Sequence, residues 1–153
     1  MRKQNENINW SIVKFNDLST KQLFDVLQLR NKVFIVEQDC AYLDIDSKDS
    51  KSFHVLAYNN KSKLIATSRV LPPGVSYTDA SIGRVAVSID YRKMGIGNEL
   101  NRRSISFIYS LFGKIKIRIS AQQHLTNFYK NHRFEVVSKP YDEDGIPHVE
   151  MLC

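Results

Sequence analysis

A strand, a glycine turn and a helix follow one another without a gap over residues 81–112, and that succession limits what the chain can build more than any other feature. Residues 82–87 are rich in β-branched and small apolar side chains, with Arg84 as the only charge, which predicts a strand buried on both faces. Ser88, Ile89 and Asp90 take the chain out of the sheet. Tyr91-Arg92-Lys93-Met94-Gly95-Ile96-Gly97 follows, and Ile96, Leu100, Phe107, Ile108 and Leu111 then recur at helical spacing. The glycines therefore open a helix. A helix N-terminus carries unpaired amides and partial positive charge, and residues without a Cβ let an anion come close, so a phosphate would bind here, with Arg92 and Lys93 adding full charge. On the glycines alone, an ordinary tight strand-to-helix connection reads equally well. Two better-known phosphate loops are excluded. Leu100 stands where the dinucleotide fingerprint wants Gly or Ala, and the chain has no Gly-Lys-Ser/Thr.

The 153 residues, 42% of them hydrophobic, suit one domain over residues 1–153 with a single core. Residues 1–8 are polar, without a leader-like apolar run, and no segment approaches a membrane span, so a cytoplasmic protein is expected. Cys40 and Cys153 are too few for a disulfide framework or a cysteine zinc site, and His54, His124, His132 and His148 lack paired ligand spacing, so no metal is expected. The formal charge of +6 is spread along the chain and does not form the run that nucleic-acid binding would favour. Arg92, Lys93, Arg102 and Arg103 gather at the glycine turn, while Asp39, Asp44, Asp46, Asp49, Asp142, Glu143 and Asp144 fall in two other loops. That polarity fits a phosphate-rich cofactor better than DNA.

Alternation over residues 8–15 predicts a first strand with one wet face. Ser19-Thr20-Lys21-Gln22 has capping-box spacing, and Leu23, Val26, Leu27, Val33 and Phe34 supply the apolar stripe of a first helix. A long polar loop over residues 39–52 precedes two β-rich runs, residues 53–58 and 63–71, joined as a hairpin by Asn59-Asn60-Lys61-Ser62. After the long helix, residues 115–121 alternate as a strand beside the central one, and residues 125–131 read as a short helix. Residues 134–139 and 149–153 complete the sheet as a terminal pair, with residues 141–147 as the loop between them. Strands around two or three helices, with one strand-helix-strand crossover, make an α/β or α+β sandwich on a mixed sheet.

Arg92-x-x-Gly95-x-Gly97, preceded by Arg84-Val85-Ala86-Val87, resembles the acetyl-CoA loop of the GNAT superfamily of N-acetyltransferases. Val33-Phe34-Ile35-Val36-Glu37-Gln38 with Asp44-Ile45-Asp46, and Asn127-Phe128-Tyr129 with Asp144-Gly145-Ile146-Pro147-His148, look like its ElaA branch, in the same order from about residue 29 to residue 151. The resemblance implies a mixed, mostly antiparallel twisted sheet flanked by helices, with splayed central strands. It also implies acetyl-CoA as co-substrate, no metal, a small-molecule amine or lysine as acceptor, no nucleic acid or membrane partner, and a monomer or homodimer.

On that resemblance the pyrophosphate would lie on Arg92, Lys93, Met94, Gly95, Ile96 and Gly97. Pantetheine amides would pair with the backbone of Val85, Ala86 and Val87, one of whose N–H groups would also stabilise the oxyanion, and Asn127 would hold the arm. Tyr129 matches the position of the superfamily's general acid. Read from the residues alone, Tyr129 is a packing aromatic beside Phe128 and Asn127 is a helix cap. Glu37, leaving the first helix beside the acceptor loop, is expected as general base, directly or through a water, with His148 and His54 behind it. A surface carboxylate and hydrogen-bonded structural histidines are the plainer readings. Glu37, Gln38, Asp44, Asp46 and His54 are expected on the acceptor side, where the acidic loops favour a small cationic amine. Two positions depart from the superfamily pattern: Ile89 stands where many members have proline, and Arg133 replaces a glycine before Phe134, which leaves Asn131 to supply a left-handed cap. The alternatives are a homoserine-lactone-synthase-like acyltransferase and a non-catalytic acyl-CoA-binding module.

Overall fold

Eight strands form one sheet in the computed structural model, which describes residues 6–153; residues 1–5, part of the polar opening stretch, lie outside the described residues. Strands β1 (Asn9–Lys14), β2 (Phe53–Tyr58), β3 (Leu64–Leu71) and β4 (Ala80–Val87) run antiparallel in succession, and β5 (Ile117–Gln122) joins β4 in parallel. Two short strands, β6 (Glu135–Val136) and β7 (Tyr141–Glu143), both pair with β8 (Ile146–Leu152), whose other edge lies antiparallel to β5. This is the mixed, mostly antiparallel sheet expected, with helices on both faces.

Helix α1 (Thr20–Arg30) starts at the predicted capping box: the Ser19 hydroxyl accepts from the Gln22 amide at 3.1 Å and the Gln22 side chain accepts from the Ser19 amide at 2.9 Å. It does not stop at Arg30 but widens into a π-helical stretch, Asn31–Glu37. Val26, Leu29, Val33 and Phe34 are thereby buried together against Leu56, Leu64 and Ala86. On the other face α2 (Ile96–Phe112) sets Ile96, Leu100 and Ile108 into the cluster that holds Val55, Ala57, Ile65 and Ala66. Leu56 points one way and its neighbours Val55 and Ala57 the other, as the twofold period of a strand requires. All eight residues of β3 are buried, so it reads as a continuous run with no alternation. Full burial of Leu100 or Ile108 stabilises the fold by about 1.5–3 kcal/mol each.

The expected loop over residues 141–147 is a β-hairpin instead. Asp144 (φ 52°) and Gly145 (φ 82°) take the two left-handed conformations of a tight turn between β7 and β8. The strand expected over residues 134–139 shrinks to the two residues of β6.

Two irregularities in β4 shape the site. Thr67 pairs with Ala86 but Arg69 pairs with Gly83, so Arg84 and Val85 together face Ser68 in a bulge, with Arg84 at φ 48°. On its other edge β4 pairs with β5 only at Ala80–Ile117 and Ser81–Arg118. Beyond Ser81 the two strands diverge and open a wedge.

Candidate active site

The wedge between β4 and β5 is the floor of a cleft of about 330 Å³, walled by the end of the π-helical stretch, the residue 39–52 loop, α3 (Thr126–Lys130) and the β7–β8 hairpin. Val85, Gln122, Leu125 and Tyr129 line it on the sheet side, and Gln38, Asp46, Glu143 and His148 on the acceptor side. The two acceptor walls touch where the Cys40 thiol lies 3.3 Å from the Asp144 carbonyl, and the acceptor side meets the sheet side where the Gln122 amide donates to the Gln38 side chain at 3.2 Å.

At one end of the wedge α2 begins without a side-chain cap, because its N-cap is Gly95 at φ 80°. The amides of Ile96, Gly97 and Asn98 have no acceptor among the described residues. A Cβ on Gly95 would meet open space, and one on Gly97 would stand 3.7 Å from the Phe128 ring and 3.8 Å from Val87. An uncapped helix start with clear space over its glycines suits a phosphate group.

The side-chain charges there are less free than the sequence implies. Arg92 donates to the Val87 carbonyl through Nε and Nη2, both at 3.0 Å, and pairs with both oxygens of the Glu37 carboxylate. Arg102 and Arg103 each pair with Glu99 at 2.7 Å. Lys93 alone of the four basic residues has no ion pair among the described residues, and its backbone sits at φ 61°.

Glu37 is not among the residues lining the cleft. Its hydrogen bonds from Arg92, and then the charge of that guanidinium, hold its carboxyl below the usual range despite some desolvation. It ties the π-helical end to the glycine turn.

Tyr129 is positioned by how α3 ends. Arg133 adopts the left-handed conformation (φ 68°) itself, and Asn131 remains right-handed, contrary to the expectation that Asn131 would supply the cap. The Phe134 amide reaches back to the Tyr129 carbonyl at 3.2 Å and the Arg133 amide to that of Lys130 at 3.0 Å, the bond pair of a Schellman motif. Its usual apolar contact is the edge-to-face packing of Phe134 on the Tyr129 ring, centroids 5.9 Å apart. Tyr129 is thus 8% exposed, its hydroxyl has no hydrogen-bond partner among the described residues, and burial pushes its pKa up to about 12. The exposed Asn127 side chain caps nothing, since the first turn of α3 has no side-chain cap.

The acceptor side differs most from expectation. Asp44 and Asp49 are buried behind the cleft wall, and with Asp46 they bind three arginines brought from α1, β3 and β4. Arg30 reaches Asp44 at 2.9 Å and Asp49 at 2.7 Å, Arg69 reaches Asp46 at 2.6 Å and Asp49 at 3.0 Å, and Arg84 reaches Asp44 at 2.8 Å. Burial resists ionisation of Asp46 and Asp49, but the hydrogen bonds and charges of these arginines outweigh it and keep both acids below their ordinary pKa. Of the three, only Asp46 lines the cleft. His54, expected on the acceptor side, is 1% exposed with Nε2 3.2 Å from the Asp49 carbonyl, and burial lowers its pKa. The acidic rim therefore reduces to the exposed Asp39, Asp142, Glu143 and Asp144. Arg84 carried no predicted role; it stood out only as the single charge in a β-rich run, which says nothing of its partners.

Residues 16–153 match the family model described as an acetyltransferase (GNAT) domain. A UPF0039 protein of Synechocystis sp. is 40% identical over 145 residues, covering 95% of this chain and 94% of its own. The protein ElaA of Escherichia coli is 37% identical over 146 residues, covering 94% and 95%, and its crystal structure superposes with a TM-score of 0.89 over 95% of this chain and 99% of that one. The crystal structure of an acyl-CoA N-acyltransferase from Pseudomonas aeruginosa, 34% identical, superposes with a TM-score of 0.90 over 95% and 99%. The homoserine-lactone synthase LasI shares the fold alone, at 13% identity and a TM-score of 0.73 over 97% of this chain and 90% of that one.

Proposed function

The chain belongs to the GNAT acetyltransferase family, and on that premise we propose that it is a single-domain, cytoplasmic N-acetyltransferase that moves an acetyl group from acetyl-CoA to a primary amine. The observation that carries this reading is the pairing of two features on the β4–β5 wedge: an uncapped helix start at one end, and a cleft lined by Tyr129, whose hydroxyl has no partner among the described residues. The pyrophosphate rests on the amides that open α2, with Lys93 as the free cation. The pantetheine arm follows the unpaired edge of β4 at Val85 and Ala86 within reach of Asn127, while Arg92 keeps the Val87 carbonyl occupied.

Attack requires a neutral amine, donors for the developing oxyanion, and a hydrogen for the leaving sulfur. An N–H in the bulged segment of β4 serves the oxyanion. Tyr129 serves the sulfur. With its pKa near 12, complete proton transfer to a thiolate of about 8.5 is uphill by about 5 kcal/mol, so Tyr129 acts chiefly by hydrogen-bonding the sulfur as charge builds there. His148, which lines the cleft, replaces Glu37 as the proton acceptor. The acceptor is a small cationic amine or an exposed lysine drawn by the four exposed carboxylates of the rim.

Calorimetry with acetyl-CoA, followed by turnover with a panel of amines, tests the reading. Gly95→Val should lower acetyl-CoA affinity at least tenfold, and Tyr129→Phe should keep affinity and lose about 100-fold in kcat. A Phe variant with full turnover would reduce Tyr129 to packing, and a wild type that binds acetyl-CoA but acetylates nothing would favour a binding module.

A further inference from the structure

Four side chains from β5, β7 and β8 converge at the acceptor wall. His148 sets Nδ1 2.7 Å from the Ile146 carbonyl and Nε2 3.0 Å from the Glu143 carboxylate. The Ser120 hydroxyl lies 3.3 Å from that carboxylate and 2.5 Å from the Tyr141 hydroxyl, and the Tyr141 ring stacks on His148 at 6.2 Å and 26°. Cross-strand register enforces the grouping, since His148 stands opposite Tyr141 on one side and Gln122 on the other.

A carbonyl oxygen only accepts, so Nδ1 carries a hydrogen, and in the neutral form of the ring, the form that can take a proton, Nε2 presents a lone pair on the side of Glu143. A carboxylate also only accepts. In that form two acceptors face each other across 3.0 Å at the wall of the cleft, and a group with several hydrogens and a positive charge would satisfy both.

We propose that Glu143 binds the acceptor's ammonium group and holds it against His148 Nε2, which takes its proton. This deepens the acetyltransferase reading and rests on it. One ammonium N–H bond breaks and its hydrogen joins Nε2, giving an imidazolium that donates to Glu143 at the distance recorded. The amine keeps the freed electron pair, which forms the N–C bond as the C–S bond breaks, and the second N–H proton that the new amide sheds goes to the departing thiolate, which leaves as the thiol. Glu143, its side chain 49% exposed, then offers the proton to solvent. Ser120 and Tyr141 are positioning residues: one holds the carboxylate, the other the ring.

The test uses 1,4-diaminobutane as acceptor with the full chain and saturating acetyl-CoA. Glu143→Gln should raise KM at least tenfold with acetyl-CoA affinity unchanged, and Glu143→Asp should recover part of the loss. His148→Asn should lower kcat at least 100-fold with a smaller change in KM. Glu143→Gln with a wild-type kcat/KM would overturn the inference while leaving the acetyltransferase reading intact. A wild type that binds acetyl-CoA but acetylates no amine would overturn both.

Discussion

The glycine turn and the acceptor wall are built on opposite plans. At the phosphate end, the groups proposed to bind are backbone amides left open by a local sequence, and the arginines nearby pair with partners on the surface: Arg92 and Glu37 are each about one-third exposed. At the acceptor end, three aspartates of the residue 39–52 loop are turned inward and neutralised by Arg30, Arg69 and Arg84, whose side chains are 1%, 5% and 24% exposed. The comparison teaches that carboxylates bunched in sequence need not make a negative surface. Here three of them are the rivets of a loop, and the surface field is left to Asp39, Asp142, Glu143 and Asp144.

The comparison breaks most visibly at Arg30. Arg30→Ala leaves Asp44 and Asp49 buried without their shared partner, and the expected loss is about 3–5 kcal/mol of unfolding free energy, read from urea denaturation. A loss under 1 kcal/mol would mean that the loop is not pinned from within.

Acid sharpens the comparison further. The folded-state pKa values of Asp46 and Asp49 are depressed, so their contribution is complete above the unfolded value of about 4 and is lost as pH falls through the lower folded values. The melting temperature should therefore hold on the acid side down to about pH 4 and fall below it. Glu37→Gln should leave most of that fall in place, because the exposed pair it removes contributes little.

The smallest expected effect is at that pair. A double-mutant cycle on Glu37→Gln and Arg92→Gln should give a coupling of about 0–1 kcal/mol in stability. A coupling above 2 kcal/mol would place the Glu37–Arg92 tether on the same footing as the inward network.

What could be read from the sequence follows the range of the interactions. The Ser19–Gln22 capping box and the order strand, glycine turn, helix are fixed by residues a few positions apart, and both were legible. The hairpin of β7 and β8, by contrast, was not legible: Asp144-Gly145 suits a tight turn, but the charges flanking that pair masked the alternation of its strands. The arginine partners of the aspartate loop lie 14 to 40 positions away, as in Arg30–Asp44 and Arg84–Asp44, and no local pattern announces them. The same holds for Glu37, whose partner Arg92 is 55 positions off and only the folded sheet brings near. Arg133 in a left-handed conformation shows a different limit: the Schellman bonds and the Phe134 contact outweigh a backbone penalty of about 1–2 kcal/mol.

One feature of the sheet bears on how the protein is made. Strand β8 lies between β5 and β6 although it follows both in the chain. Until it emerges, β5 is paired only through Ala80 and Ser81, its other edge is open, and Tyr129 and Phe134 have no Val149 or Met151 beside them. At about 5–20 residues per second the ribosome needs about 1–3 s to go from β6 to the end of β8. During that interval the half of the molecule holding α1 and β1 to β4 can already be folded while the acceptor wall does not yet exist, and the bare edge of β5 is the strand most exposed to pairing with a neighbouring nascent chain.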